Sequence, residues 1–88
     1  MAQVISEGAF LVDVRSRQEF ASGHVKGSVN IPLDRVQAEL KQFKGKGTIV
    51  VFCQSGGRSR MAKSILDSNG IQNVINGGSW MSVNRHVK

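Results

Sequence analysis

Thr48-Ile-Val-Val-Phe52, running straight into Cys53-Gln-Ser-Gly-Gly-Arg-Ser59, is the stretch on which the reading of this chain turns. Its first half is apolar and β-branched without alternation, which predicts a strand buried on both faces, as at the centre of a parallel sheet. Its second half opens with the only cysteine of the chain and then supplies paired glycines, a cation and a hydroxyl. Met61, Ala62, Ile65 and Leu66 follow at helical spacing, and Asn69-Gly70 closes that helix as a C-cap. The segment therefore reads strand, tight loop, helix. In open α/β sheets ligands bind at this carboxyl end of the strands.

The loop has the chemistry of an anion cradle. Gly56 and Gly57 permit backbone conformations closed to other residues, so several N–H groups can turn inward and form a nest. The start of the following helix adds positive partial charge. A cysteine in that field has its pKa lowered from about 8.5 and favours the reactive thiolate. A lone cysteine at a strand end is by itself a small hydrophobe, and a Gly-Gly pair is by itself a turn. Their conjunction with Arg58 and a helix start makes Cys53 the candidate nucleophile. Only Gln54, Ser55, Gly56 and Gly57 lie between Cys53 and Arg58. Cysteine phosphatases enclose a tetrahedral phosphate in a longer Cys-to-Arg loop. The shorter span here suits one sulfur atom carried on the cysteine better than a bound phosphate.

Outward from the loop, Phe10-Leu-Val-Asp-Val14 is a second apolar strand, and Ser28–Ile31 and Val74-Ile75 are weaker ones. Ser16-x-x-Glu19 is a capping box opening a short helix. Leu33, Val36, Leu40 and Phe43 predict an amphipathic helix of about three turns between Pro32 and Gly45. Residues 2–8 can form the end of another helix. Strands alternating with helices give an α/β class with a mainly parallel central sheet and helices on both faces.

The chain has 88 residues, of which 40% are apolar, so residues 1–88 are expected to form one small domain folding on packing alone. A single cysteine allows no internal disulfide. The net charge of +6 fits a solvated surface and favours small anions or an acidic protein partner. Nucleic acid is not expected, since the basic residues are scattered and the aromatics number four Phe and one Trp. No segment approaches the roughly 20 apolar residues of a membrane span. Met1–Gly8 lacks the pattern of a signal peptide, which points to the cytoplasm; a periplasmic chain with its signal already removed would look the same.

Taken together, these residues resemble the rhodanese family. Cys53, Gly56, Arg58 and Ser59 match its loop C-x-x-G-x-R-S. Asp13-Val-Arg15 with Glu19-Phe20, Gly23-His-Val-Lys-Gly-Ser28, Asn30-Ile-Pro32 and Gly77-Gly78 with Trp80 match further family segments in the expected order, the last with shorter spacing. The resemblance runs from Phe10 to Trp80. Both ends are minimal beside it: the family's first strand is missing or trimmed, and the closing helix is short.

The resemblance implies a rhodanese-like fold and a sulfurtransferase. In that chemistry the Cys53 thiolate takes the outer sulfur of a donor such as thiosulfate. It then passes the sulfur from a persulfide to cyanide, a thiol or a protein acceptor, in two covalent steps. The loop N–H groups of Gln54, Ser55, Gly56, Gly57, Arg58 and Ser59 would hold the persulfide anion. No metal or organic cofactor is called for, and nothing calls for more than a monomer. Asp13, Arg15 and Glu19 are supporting residues: Arg15 and Glu19 are expected to pair with each other, and Arg58 with a carboxylate such as Asp13. His24 is expected to bond backbone, and Trp80 to pack in the core or beside the loop. Arg60, Lys63 and Arg85 could rim the site. A sulfur-relay module, loaded and unloaded by proteins, is the alternative. A phosphatase or arsenate reductase conflicts with the loop length, and a non-catalytic domain with the intact loop.

Overall fold

The strand β3 (Ile49–Cys53) is buried at every position and lies inside the sheet, as its unbroken apolar run requires. A computed structural model of the protein describes residues 1–87. The other strands are β1 (Phe10–Asp13), β2 (Val29–Asn30) and β4 (Val74–Ser79). All three pairings are parallel, in the order β2-β1-β3-β4. Helices α1 (Ala2–Ser6), α2 (Arg17–Ala21), α3 (Leu33–Val36), α4 (Gly57–Ser68) and α5 (Trp80–Asn84) make the connections and the ends. The predicted α/β class with a parallel sheet is therefore what the chain forms.

Strand alternation divides the apolar residues between two faces. Val12, Val14, Ile49, Val51 and Cys53 point to the layer built by α3 and α4, where Val36, Ala62 and Leu66 are buried. Leu11, Val50 and Phe52 point to the opposite layer, where Val83 is buried and Val4, Ile5 and Trp80 pack from α1 and α5. The side chain of Cys53 thus leaves the sheet towards the α4 side.

Three elements differ from the sequence reading. The helix of about three turns after Pro32 is one turn of α3 followed by a separate 3-10 turn, Leu40–Gln42. Leu40 and Phe43 still pack on the sheet, because the broken path keeps the same apolar side inward. β4 runs four residues past Val74-Ile75 and carries the Gly77-Gly78 pair inside it. There the β3–β4 register slips, with Val51 opposite Asn76 but Phe52 opposite Gly78. This is a bulge, the usual meaning of glycine within a strand. Among the described residues no strand precedes β1; the first element is α1, closed by Gly8. The capping box at Ser16 and Glu19 forms as predicted, and Asn69 and Gly70 end α4.

Candidate active site

Cys53 is the last residue of β3, and the chain turns at once into α4 through Gln54-Ser-Gly56. The turn is possible because Gly56 adopts φ +103°, a left-handed conformation that an L side chain enters only under strain. A Cβ there would meet nothing closer than the Gly78 Cα at 3.6 Å, so the glycine is required by backbone geometry rather than by space. The Gly56 N–H points back at Cys53 Sγ, at 3.0 Å.

Cys53 is buried, at 1% exposure. Burial pushes its thiol up, but hydrogen bonding from the Ser59, Gly56 and Ser55 N–H groups outweighs this and the net shift is downward. The Ser59 hydroxyl adds to that lowering only if its proton faces the sulfur. Ser59 Oγ lies 3.7 Å from Sγ, 3.0 Å from the Gly56 carbonyl and 2.6 Å from Asn76 Oδ1. Asn76 Oδ1 also accepts the Gly78 N–H at 2.9 Å, which fixes the orientation of the carboxamide.

Two arginines stand beside the loop, and both are bound by carboxylates. Arg15 makes three bonds of 2.7–3.0 Å to Asp13 and donates to the Gly23 carbonyl at 2.7 Å. Its guanidinium carbon sits 4.7 Å over the Trp80 ring. Arg58 makes a two-pronged pair with Glu19, at 2.6 and 3.0 Å. The Arg58 hydrogen bond, the Ser16 N–H and the Arg58 charge hold the Glu19 carboxyl at about 2, against an ordinary 4.5. The expected partners are thus exchanged: Arg15 pairs with Asp13 rather than Glu19, and Arg58 with Glu19 rather than Asp13. Asp13 and Arg15 leave the end of β1 together, two positions apart, while Glu19 on α2 is brought up to the first turn of α4.

The remaining sequence candidates divide. His24 Nδ1 bonds the Phe20 carbonyl at 3.0 Å and its ring stacks on Phe20, the backbone role expected of it. Trp80 lies beside the loop: with Arg15, Glu19, Ser22, Gly23, Gln54 and Met81 it lines an open cavity of about 310 Å³. On the other side Arg58, Val14, Ser16, Pro32, Leu33, Asp34 and Ile65 line a more apolar hollow. Lys63 pairs with Asp67 one turn further along α4, and Arg85 lines a hollow with Ala2, Gln3, Ser6 and His86. Among the described residues no group of three or more His, Cys, Asp or Glu could hold a metal ion. Asn76 was passed over by the sequence reading. An Asn before Gly-Gly is a turn signal, but its contact with Ser59 crosses from β4 to α4 and leaves no local pattern.

The family profile described as the Rhodanese-like domain matches residues 1–84. The chain is 35% identical over 74 residues to an Escherichia coli protein named as a thiosulfate sulfurtransferase, covering 82% of this chain and 71% of that one. It is 34% identical over 70 residues to a Bacillus subtilis protein provisionally named as a sulfur carrier, covering 80% of this chain but 38% of the relative. It spans less than two thirds of several other curated relatives as well. A solved structure described as a rhodanese with anions from E. coli superposes with a TM-score of 0.77 at 31% identity, covering 85% of this chain and 91% of that one.

Proposed function

The chain belongs to the rhodanese-like domain family, and from that premise we propose that it is a sulfurtransferase that carries sulfur as a persulfide on Cys53. The observation that supports this most directly is the 3.0 Å contact of the Gly56 N–H with Cys53 Sγ, inside a loop whose N–H groups favour the thiolate.

In the first step the Cys53 thiolate attacks the outer sulfur of thiosulfate or a similar donor. An S–S bond forms at Sγ, the donor's S–S bond breaks, and sulfite leaves with the electron pair. The charge on the new outer sulfur falls to the loop N–H groups, which are already in place and need no reorganisation. In the second step a thiol or cyanide attacks that outer sulfur, and Sγ departs as the thiolate it began as. No further electrons enter or leave. Arg58 and Arg15, each tied to a carboxylate, act in this scheme by stiffening the loop and its neighbour β1. Gln54, Trp80 and Met81 line the cavity through which a donor or acceptor would approach.

The relative named as a sulfur carrier favours one second reading, in which proteins load and unload Cys53 and small donors turn over slowly. Intact mass measurement after incubation with thiosulfate tests both. The expected result is a species one sulfur atom heavier, lost on adding cyanide and absent in Cys53→Ser. No adduct from thiosulfate but one from a persulfidated protein would select the relay, and no adduct from either would remove sulfur transfer altogether.

A further inference from the structure

Beneath Cys53 lies a hydroxyl with one proton and three possible acceptors. Ser59 Oγ is 2.6 Å from Asn76 Oδ1, 3.0 Å from the Gly56 carbonyl and 3.7 Å from Cys53 Sγ. Ser59 is fully buried, so water does not supply a further partner. Asn76 cannot turn its amide nitrogen to Ser59, because the same Oδ1 receives the Gly78 N–H at 2.9 Å and a flipped carboxamide would set two donors against each other. The shortest contact therefore takes the proton. The Ser59 oxygen is left with lone pairs towards the sulfur.

We propose that Asn76 is a positioning residue for Cys53: it holds the Ser59 hydroxyl proton away from the sulfur, so that backbone N–H groups alone receive negative charge there. The arrangement has a consequence for the thiolate. The Ser59 oxygen can accept from a Cys53 S–H but gives no bond to a thiolate. Stabilisation of the thiolate is left to the backbone N–H groups of Ser59, Gly56 and Ser55. Asn76 also ties the β4 bulge to α4, since the Gly78 N–H and the Ser59 hydroxyl meet on one oxygen.

Other charges near the sulfur are accounted for. β1, β4, α4 and α5 pack on β3, and α3 and α1 close the two layers beside it. α1 (Ala-Gln-Val-Ile-Ser) has no charged side chain, while α3 brings Asp34, which lines a hollow with Arg58, and Arg35, which pairs with Glu39. β4 (Val-Ile-Asn-Gly-Gly-Ser) and α5 (Trp-Met-Ser-Val-Asn) contain no titratable side chain. β1 brings Asp13, closed by Arg15; α4 brings Arg58, closed by Glu19 of α2, besides the exposed Arg60 and the Lys63–Asp67 pair. None of these is hydrogen-bonded or ion-paired to Ser59 or Asn76, and Asn76 meets Ser59 directly, so a change at Asn76 reaches the sulfur through Ser59.

The inference rests on Cys53 being the reacting group, but its test needs no sulfur transfer, so the two can fail separately. Cys53 is the only cysteine, and its alkylation by iodoacetamide as a function of pH reads its ionisation directly. In Asn76→Ala the freed hydroxyl is left with the Gly56 carbonyl at 3.0 Å and the sulfur at 3.7 Å. Once the thiolate forms, the sulfur is the charged acceptor, and charge-assisted bonds are the stronger kind, so the hydroxyl turns to it. The alkylation midpoint is expected at lower pH, with about three- to tenfold more thiolate at a pH below it. Ser59→Ala alone is expected to leave the midpoint at or below that of the unaltered protein. Adding Asn76→Ala to Ser59→Ala is expected to change nothing further. A midpoint unmoved or raised in Asn76→Ala, or a shift that persists without Ser59, overturns the proposal. If Asn76→Ala fails to fold, a raised midpoint in Ser59→Ala overturns it alone, because it would mean that the hydroxyl already donates to the sulfur.

Discussion

At the scale of single residues, the strand beside the site depends on a glycine outside the Cys53 loop. Gly77 lies in the bulge of β4, where an added Cβ would sit 2.8 Å from both Val50 Cγ1 and Val83 Cγ2. Both valines are fully buried, so neither can move aside without displacing its neighbours. Relief must come from β4 shifting outward, carrying with it Asn76 and Gly78. Gly77→Ala is therefore expected to lower stability by about 1–3 kcal/mol, the usual range for overpacking a filled core. In urea unfolding this appears as a lower midpoint at unchanged slope. Val83→Ala in the same chain should return part of the loss, so that the two changes are not additive. Strict additivity would mean that the crowding at Gly77 is not what the substitution costs.

At the scale of elements, the parallel sheet and the site loop were legible because each has a local cause. An unbroken apolar run marked β3, the capping box marked α2, and the glycines between strand and helix marked the loop. What escaped was set by neighbours distant in sequence. The pairing of Arg58 with Glu19 spans 39 residues, and Arg15 has both Asp13 and Glu19 close by in sequence, so the family resemblance pointed it to Glu19 where the fold gives it Asp13. The spacing of Leu33, Val36, Leu40 and Phe43 fits one long helix or two short turns equally well, since either buries the same side. Glu19 shows how one such contact joins elements. Its Oε1 accepts the Ser16 N–H of the α2 cap at 3.0 Å and Arg58 Nη1 of α4 at 2.6 Å. Gln keeps an acceptor for the Ser16 N–H but loses the charge; Ala loses both, while the Ser16 hydroxyl still accepts the residue-19 N–H in either variant. Glu19→Gln is expected to cost less than about 1 kcal/mol, because the pair is over a third exposed. Glu19→Ala should cost about 0.5–1 kcal/mol more, the usual worth of one hydrogen bond. Equal losses in the two variants, by urea midpoint, would mean that the bond to the Ser16 N–H contributes nothing.

The same carboxylate gives the whole molecule a recognisable response to acid. In the folded chain Glu19 titrates at about 2, against 4.5 ordinarily, so the folded state refuses a proton that the unfolded state accepts. Stability from this group is complete above pH 4.5 and is lost progressively as the pH falls towards about 2. Glu39 is displaced in the same direction, by hydrogen bonds from Gln42 and Arg35, and adds to the trend from an exposed position. The chain is also strongly basic, at +6 near neutrality, so protonating its carboxylates increases a self-repulsion that already opposes folding. Comparing the protein with its Glu19→Gln variant separates the two effects. Both chains carry the repulsion, but only one can protonate residue 19. The difference between their urea midpoints should be constant above pH 4.5 and shrink below it as Glu19 takes up its proton. A difference that stays constant throughout that descent would place the acid sensitivity in general repulsion, and would leave the tie between α2 and the Cys53 loop without a share in it.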